Sequence, residues 1–268
     1  MKKNFVNLKG NKLEIRWIGE PVKKSEPVIV FLHEGLGCVD LWRDFPATLY
    51  KTLKIPSLLY SRQGYGRSSP SKVPKSLDFM HKEALEILPR LLDTLEIERA
   101  VLFGHSDGAS ISLINCGGLQ DKRIEGLVLL APHVFVEDIS ISSIQKAKLE
   151  FEKGKLREKL MKYHFSNVDC AFWGWAGAWL DEDFLKWNIE EYLAGINIPV
   201  LLIQGEDDQY GTLAQVTAIQ NGIGINCTSE IISGCGHSPH LEKPEATLNL
   251  VKEFIKGRGD IGNYLYHL

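Results

Sequence analysis

Residues 104–108 read Gly-His-Ser-Asp-Gly and match the pattern Gly-x-Ser-x-Gly. An apolar run at 100–103 precedes this turn, and apolar residues at helical spacing follow it from Ala109 onward. A strand, a sharp turn and a helix in this order expose the central serine hydroxyl beside the amides of a helix N-terminus. The context therefore predicts that Ser106 is a nucleophile, and an incidental serine in a glycine-rich turn is the weaker interpretation.

Further short apolar runs place this unit in a larger sheet. A β-hairpin is expected from alternating residues near the start, and buried strands are expected at 28–32, 57–60, 126–131 and 200–203. Helical patterns separate several of these runs. Strands that alternate with helices are typical of an α/β fold with a mostly parallel sheet flanked by helices.

The region from about 133 to 196 interrupts this alternation. It has no strand-like buried run and reads as helices, first charged and then rich in aromatic residues. We therefore predict one α/β core from 1–132 and 196–268, with a helical cap inserted at 133–195. The cap is expected over the carboxyl ends of the strands, where open α/β sheets bind ligands.

Composition excludes several classes of protein. The 268 residues carry a net charge of -3 with a pI of about 6.3, which does not fit a general nucleic-acid binder. No apolar run approaches the roughly 18 residues that span a bilayer, and the start lacks the apolar stretch of a signal peptide. Five cysteines without CxxC spacing argue against a disulfide framework or a zinc site. We expect a cytoplasmic protein with no membrane or nucleic-acid partner and no metal.

A nucleophilic serine needs a base, and the base needs a carboxylate to orient it. Residues 205–208, after a predicted strand, read Gly-Glu-Asp-Asp, and residues 236–240 read Gly-His-Ser-Pro-His. The chain order serine, acid, histidine is the one that accompanies this type of turn. The residues alone leave two candidates for the acid and two for the base, because the first segment contains two aspartates and the second contains two histidines.

From about residue 28 to 256, these motifs resemble the α/β-hydrolase-fold family, whose members commonly carry a cap. The resemblance implies Asp208 as the acid, with Asp207 as the alternative, because members commonly have Gly-x-x-Asp after the seventh strand. It implies His237 as the base, because a Gly-His pair followed by a Pro-Glu helix start is the family pattern. We expect His240 to be structural.

The resemblance also implies an oxyanion hole. One donor is the amide of Asp107, whose side chain we expect to cap the following helix. The other comes from the loop after the strand at 28–32, where we favour the Gly35 amide with Leu36 as the alternative. Glu34 stands where glycine is usual, and a structural role is favoured over projection into the pocket. Residues 61–68 resemble a packing motif, so we expect its arginines, Arg62 and Arg67, to be structural.

Aromatic residues crowd the second half of the predicted cap. Some must form its own core, and others can roof an apolar pocket that excludes water. The residues expected to contact substrate are Leu36, His133, Trp173, Trp175 and Trp179.

The prediction is a serine hydrolase that cleaves a small carboxylic ester, lactone or related acyl compound through an acyl-enzyme, without a cofactor. The alternative is a carbon–carbon bond hydrolase or lyase with the same three residues, because a fold does not determine one reaction. A non-catalytic small-molecule binding protein is the least supported hypothesis. A homo-oligomer stays open, because the aromatic residues of the tail at 257–268 would suit docking on the body or on a neighbouring chain.

Overall fold

Eight strands form one sheet in the computed structural model of the chain, which describes residues 4–257. Their order across the sheet is β1-β2-β4-β3-β5-β6-β7-β8. Strands β1 and β2 form an antiparallel hairpin, β2 pairs antiparallel with β4, and the strands from β4 to β8 are parallel. The bounds are β1 Asn4–Leu8, β2 Asn11–Ile18, β3 Val28–Leu32, β4 Ser57–Tyr60, β5 Ala100–His105, β6 Ile124–Leu130, β7 Val200–Gly205 and β8 Cys227–Ile232.

Helices connect the parallel strands and continue to the end of the described chain. They are α1 Phe45–Leu53, α2 Phe79–Lys82, α3 Leu88–Thr94, α4 Asp107–Leu119, α5 Asp138–Lys153, α6 Leu156–His164, α7 Val168–Trp179, α8 Leu213–Ile223, α9 Pro239–Glu242 and α10 Pro244–Lys256. A π-helical turn, Glu83–Ile87, joins α2 to α3. Within residues 4–257, none of these helices combines the length and the apolarity needed to cross a membrane. The tail beyond Gly257 lies outside the described residues.

The core lies on both faces of the sheet, which is why the central strands are apolar without alternation. In β3, Val28, Val30 and Leu32 contribute to one apolar cluster. The intervening Ile29 and Phe31 contribute to the cluster on the other face. None of the five is more than 1% exposed. The expected mostly parallel sheet with helices on both sides is therefore confirmed.

Helices α5, α6 and α7 lie between β6 and β7, together with short 3-10 turns. This inserted segment has its own aromatic contacts, in which the rings of Phe151 and Phe172 stack with centroids 3.7 Å apart. Its description as a separate cap domain at 133–195 stays a prediction.

The six parallel strands, β3 to β8, end at the same edge of the sheet. The segments that follow five of these strands carry the residues singled out by the sequence: the loop 33–38 after β3, and then Ser106, His133, Asp208 and His237 after β5, β6, β7 and β8. Residues more than a hundred positions apart in the chain can therefore meet at this edge.

Candidate active site

The turn between β5 and α4 holds Ser106 in a strained backbone conformation, with φ 52° and ψ -119°. Such a conformation is rare for a residue with a side chain and persists where the surrounding structure imposes it. Its two flanking glycines permit the turn. A Cβ on Gly104 would lie 2.5 Å from Cα of Ala109, and one on Gly108 would lie 2.0 Å from the carbonyl oxygen of Leu32. The structure thus has the sharp strand-to-helix turn that the motif predicts.

The candidate base and acid are in direct contact. Nδ1 of His237 lies 2.9 Å from each carboxylate oxygen of Asp208. The same carboxylate accepts hydrogen bonds from the amide of Tyr210 and from the side chain of Gln204. Burial acts to raise the pKa of Asp208, but the hydrogen bond and charge of His237 outweigh burial, so the pKa is lowered. The carboxylate is therefore ionised at neutral pH and can orient the imidazole.

The alternative acid and base occupy different surroundings. Asp207 is exposed to solvent, and its amide donates to the carbonyl of Cys235. His240 is 3% exposed and packs between the rings of Trp42 and Phe45, with centroids 4.9 and 5.8 Å away. Neither residue contributes to the cavity described below. The packed position of His240 fits the structural role expected for it, and the position of Asp207 separates this alternative acid from the candidate base.

The loop that carries the candidate base is held from two sides. The carboxylate of Glu242 accepts the amides of Gly236 and Ser238, at 2.8 and 2.9 Å. Nε2 of His105 lies 2.8 Å from the carbonyl oxygen of His237 and must donate to it, because a carbonyl oxygen only accepts. Sequence reasoning missed both anchors, since no local pattern marks a residue that binds a distant backbone.

After β3 the chain makes a β-turn from Glu34 to Gly37, closed by a 3.1 Å bond from the Gly37 amide to the Glu34 carbonyl. Among the described residues, the amides of Gly35 and Leu36 at the centre of this turn donate to no other group. The Asp107 amide at the first position of α4 has no partner in its helix. These free donors suit an oxyanion hole, and Gly35 and Leu36 both stay candidates.

Arg62 organises the carbonyl side of the same loop. Its guanidinium donates to the carbonyl oxygens of His33 and Glu34, and its amide donates to Nε2 of His33. The side chain is 2% exposed, so it is a buried structural arginine, as expected. Arg67 pairs with Glu14 and is structural as well.

The inserted segment contacts this loop directly. Trp175 packs so closely on Gly35 that a Cβ there would lie 2.1 Å from the indole nitrogen. His164 accepts the Gly66 amide at Nδ1, and its Nε2 lies 2.9 Å from the carbonyl oxygen of Leu36. The sequence had singled out Trp175 for the pocket, but it did not mark His164.

These segments enclose a cavity of about 180 Å³ that opens beside Ser106. Its lining residues are Glu34, Gly35, Leu36, His105, Ser106, Asp107, His133, Ser140, Ile144, Trp175, Trp179, Tyr210, His237 and Ser238. The candidate nucleophile, base and oxyanion donors therefore share one cavity. The volume is below the roughly 300–1,000 Å³ of drug-sized sites.

Of the five residues expected to contact substrate, Trp173 is the one that does not line the cavity. Trp175 and Trp179 are four residues apart and share one face of α7, whereas Trp173 points to another face. Its ring packs edge-on against Phe151 and Phe172, at centroid distances of 5.8 and 5.1 Å. It is half-buried and packs on the other aromatic rings of the inserted segment.

The side chain of Asp107 does not cap α4, contrary to expectation. It is fully buried, and its Oδ1 accepts a 3.2 Å hydrogen bond from the indole N–H of Trp179. Burial raises the pKa of Asp107, although nearby cations and this bond act against the increase. The residue after the candidate nucleophile is thus connected to the inserted segment.

Glu34 reaches the cavity as well as contacting the protein interior. Its Oε2 lies 3.6 Å from Nδ1 of His105, yet the side chain stays 28% exposed and lines the cavity. The sequence favoured a structural role over projection into the pocket. The structure combines the two.

A model of the alpha/beta hydrolase family matches residues 29–250 of this chain. The chain is 23% identical to 3-oxoadipate enol-lactonase 1 of Acinetobacter baylyi, over 94% of its own length and 96% of that relative. It is 24% identical to a putative esterase/lipase of Mycoplasma genitalium, over 95% and 93% of the two chains.

Solved structures agree on the fold. The enol-lactonase from Burkholderia xenovorans superposes with a TM-score of 0.73 at 22% identity, covering 94% of this chain and 99% of that one. A bacterial membrane phospholipase A superposes with a TM-score of 0.78 at 17% identity, over 96% and 86% of the chains. At these identities the likeness bears on the fold alone. The family match spans most of the chain, so the chain belongs to the alpha/beta hydrolase family and is a hydrolase.

Proposed function

We propose that this hydrolase cleaves a small carboxylic ester or lactone through an acyl-enzyme on Ser106. The observation that carries the proposal is the common wall of one cavity, where a strained serine lies with a histidine already oriented by an ionised carboxylate. The names of the enol-lactonase and esterase/lipase relatives support the same reaction class. The small cavity favours a small substrate.

The hydrogen bond to Asp208 determines which nitrogen of the base can accept a proton. Because Nδ1 of His237 donates to the carboxylate, Nε2 carries the lone pair of the neutral ring. As Ser106 Oγ bonds to the substrate carbonyl carbon, its proton moves to Nε2. The ionised Asp208 then stabilises the imidazolium that forms.

The carbonyl oxygen becomes an oxyanion in this step. The amides of Asp107 and Gly35 donate to it, with Leu36 as the alternative second donor. When the carbonyl re-forms, the bond to the alcohol oxygen breaks, and that oxygen takes the proton from His237. In a lactone this alcohol stays attached to the acyl part.

Water completes the cycle. His237 accepts a proton from a water molecule whose oxygen bonds to the acyl carbon, and the oxyanion forms again in the same place. Collapse of this second intermediate breaks the bond to Ser106 Oγ, which takes back the proton. The products are a carboxylic acid and the free enzyme.

A fluorophosphonate probe and short p-nitrophenyl esters test this proposal. We expect the wild-type protein to be labelled and to release p-nitrophenol, and Ser106→Ala to lose both activities. Ser166→Ala, which removes an exposed serine outside the cavity, is the matched control and should behave as wild type. Wild-type labelling in folded Ser106→Ala protein contradicts the assignment of the nucleophile.

A parallel panel of vinylogous diketones distinguishes the ester reaction from carbon–carbon cleavage. Ester or lactone turnover well above diketone turnover supports the proposal. Much faster diketone turnover, lost in Ser106→Ala, would replace it with carbon–carbon bond hydrolysis by the same residues.

A further inference from the structure

The charges around the cavity are one-sided. In the part of the chain spanning 4–257, no lysine or arginine lines it. Two carboxyl groups do, but Asp107 is fully buried and bonded to Trp179. Glu34 is thus the carboxyl group that a bound molecule can approach.

The loop after β3 leaves space for this carboxylate. A Cβ on Gly37 would lie 2.2 Å from Oε2 of Glu34, so the glycine permits the observed position of the side chain. Burial acts to raise the pKa of Glu34. The neighbouring His105 and His33 act in the opposite direction and outweigh burial, so the pKa is lowered. Glu34 is therefore ionised at neutral pH.

His105 lines the same cavity beside Glu34. The imidazole is 1% exposed, whereas the Glu34 side chain is 28% exposed, so the negative group of the pair is the accessible one. Because Nε2 of His105 donates to the His237 carbonyl, Nδ1 is the atom that faces Glu34.

Three aromatic side chains, Trp175, Trp179 and Tyr210, line the same cavity. Aromatic faces attract cations through the ring quadrupole, and they are the usual environment for alkylammonium groups. A carboxylate beside such rings strengthens the attraction, whereas it repels a second carboxylate. The cavity wall thus combines a carboxylate with aromatic rings, and both favour a cationic group.

We propose that Glu34 is the specificity-determining residue of this cavity and that the substrate is an ester or lactone bearing an alkylammonium group. The inference rests on the proposed function, since it assigns a substrate class to the same site. It also predicts discrimination against esters that carry a free carboxylate.

Binding of intact esters to Ser106→Ala protein tests the charge preference separately from turnover. Three butyrate esters share a two-carbon alcohol that ends in trimethylammonium, tert-butyl or carboxylate. In a second series, three p-nitrophenyl esters share an acyl chain of three methylene groups that ends in trimethylammonium, tert-butyl or carboxylate. The tert-butyl group matches trimethylammonium in shape, so the comparison isolates charge. The readout is the ratio of dissociation constants within each series, measured by calorimetry at low salt.

In at least one series we expect the cationic ester to bind about tenfold more tightly than the neutral one, and the anionic ester about tenfold more weakly. Adding Glu34→Gln should bring the three values together, whereas Glu34→Asp, which keeps the charge, should retain the ranking. Glu158→Gln removes an exposed carboxylate of α6 and should change nothing.

Equal affinities in both series, or a ranking unchanged by Glu34→Gln, would overturn the inference whatever the turnover data show. The proposed function is judged separately by Ser106 labelling and ester turnover in the wild-type protein. If the neutral esters are turned over but no charge preference is found, the proposed function is supported and only the specificity role of Glu34 is contradicted.

Discussion

The imidazole of His105 donates a 2.8 Å hydrogen bond to the carbonyl oxygen of His237. His105 directly precedes Ser106, so this bond joins the end of β5 to the loop that carries the candidate base. On the other side of the loop, the Glu242 carboxylate accepts two amides. The base is therefore positioned through its backbone as well as through its contact with Asp208.

Glu242→Ala removes the two amide contacts that flank His237. We expect kcat to fall about tenfold with little change in KM, because the imidazole loses orientation while the cavity wall stays in place. The free energy of unfolding should fall by about 1–2 kcal/mol. Steady-state kinetics and urea unfolding measure the two effects, with Glu158→Ala as an exposed control. An unchanged kcat would mean that the His105 bond is sufficient to hold the loop.

Replacing His237 and replacing His240 should have very different effects on the kinetics. His237→Ala is expected to lower kcat/KM by about a thousandfold or more, because the proton acceptor is lost. His240→Ala should stay within about fivefold of wild type, and it should reduce stability instead, by about 1–3 kcal/mol, because a packed ring is removed. Ester kinetics together with thermal unfolding compare them. The opposite kinetic ranking would assign the base to His240.

Gly35→Ala places a methyl group where the Trp175 indole lies. We expect a stability loss of about 1–3 kcal/mol from overpacking and a lower kcat/KM from displacement of the oxyanion turn. Trp175→Ala in the same chain should relieve the clash, so the double variant should be more active than the sum of the two single effects implies. A double-mutant cycle measures this coupling. Strictly additive effects would show that the contact does not constrain the turn.

Stability should depend on pH through His133. Burial, with a smaller contribution from His237, lowers the pKa of His133 to about 3. The unfolded chain takes up this proton below about pH 6.5, whereas the folded chain does not, so stability present above pH 6.5 is lost as pH falls toward 3.

The expected share of His133 is about 1.4 kcal/mol per pH unit within that range. Urea unfolding of wild type and His133→Gln between pH 6 and 4 measures it as the difference between the two slopes. Parallel slopes would contradict the low pKa.

Local patterns were sufficient for the strands and for the turn that holds Ser106. The apolar runs at 57–60 and 200–203 coincide with β4 and with most of β7, because a strand buried on both faces needs apolar side chains on both. The glycines around Ser106 mark a turn whose geometry excludes a Cβ at two positions. Each of these signals lies within a few residues of the feature that it predicts.

The choice of acid needed more than local pattern. Asp207 and Asp208 are adjacent and chemically identical, and the family spacing favoured the second. In the structure Asp208 is buried against His237, whereas Asp207 is exposed. Adjacent residues of one loop can thus differ completely in environment.

By itself the sequence determined the mostly parallel sheet, the strained serine turn and the order of the candidate catalytic residues, since each depends on periodicity or on short-range sterics. Only the tertiary structure decided that Trp173 lies outside the cavity wall and that Glu34 is part of it. The same holds for the Glu242 carboxylate and the His105 ring, which anchor the loop of the base. These features depend on which surfaces meet when distant segments pack together. A pattern within one segment carries no information about the partner that its side chains will find.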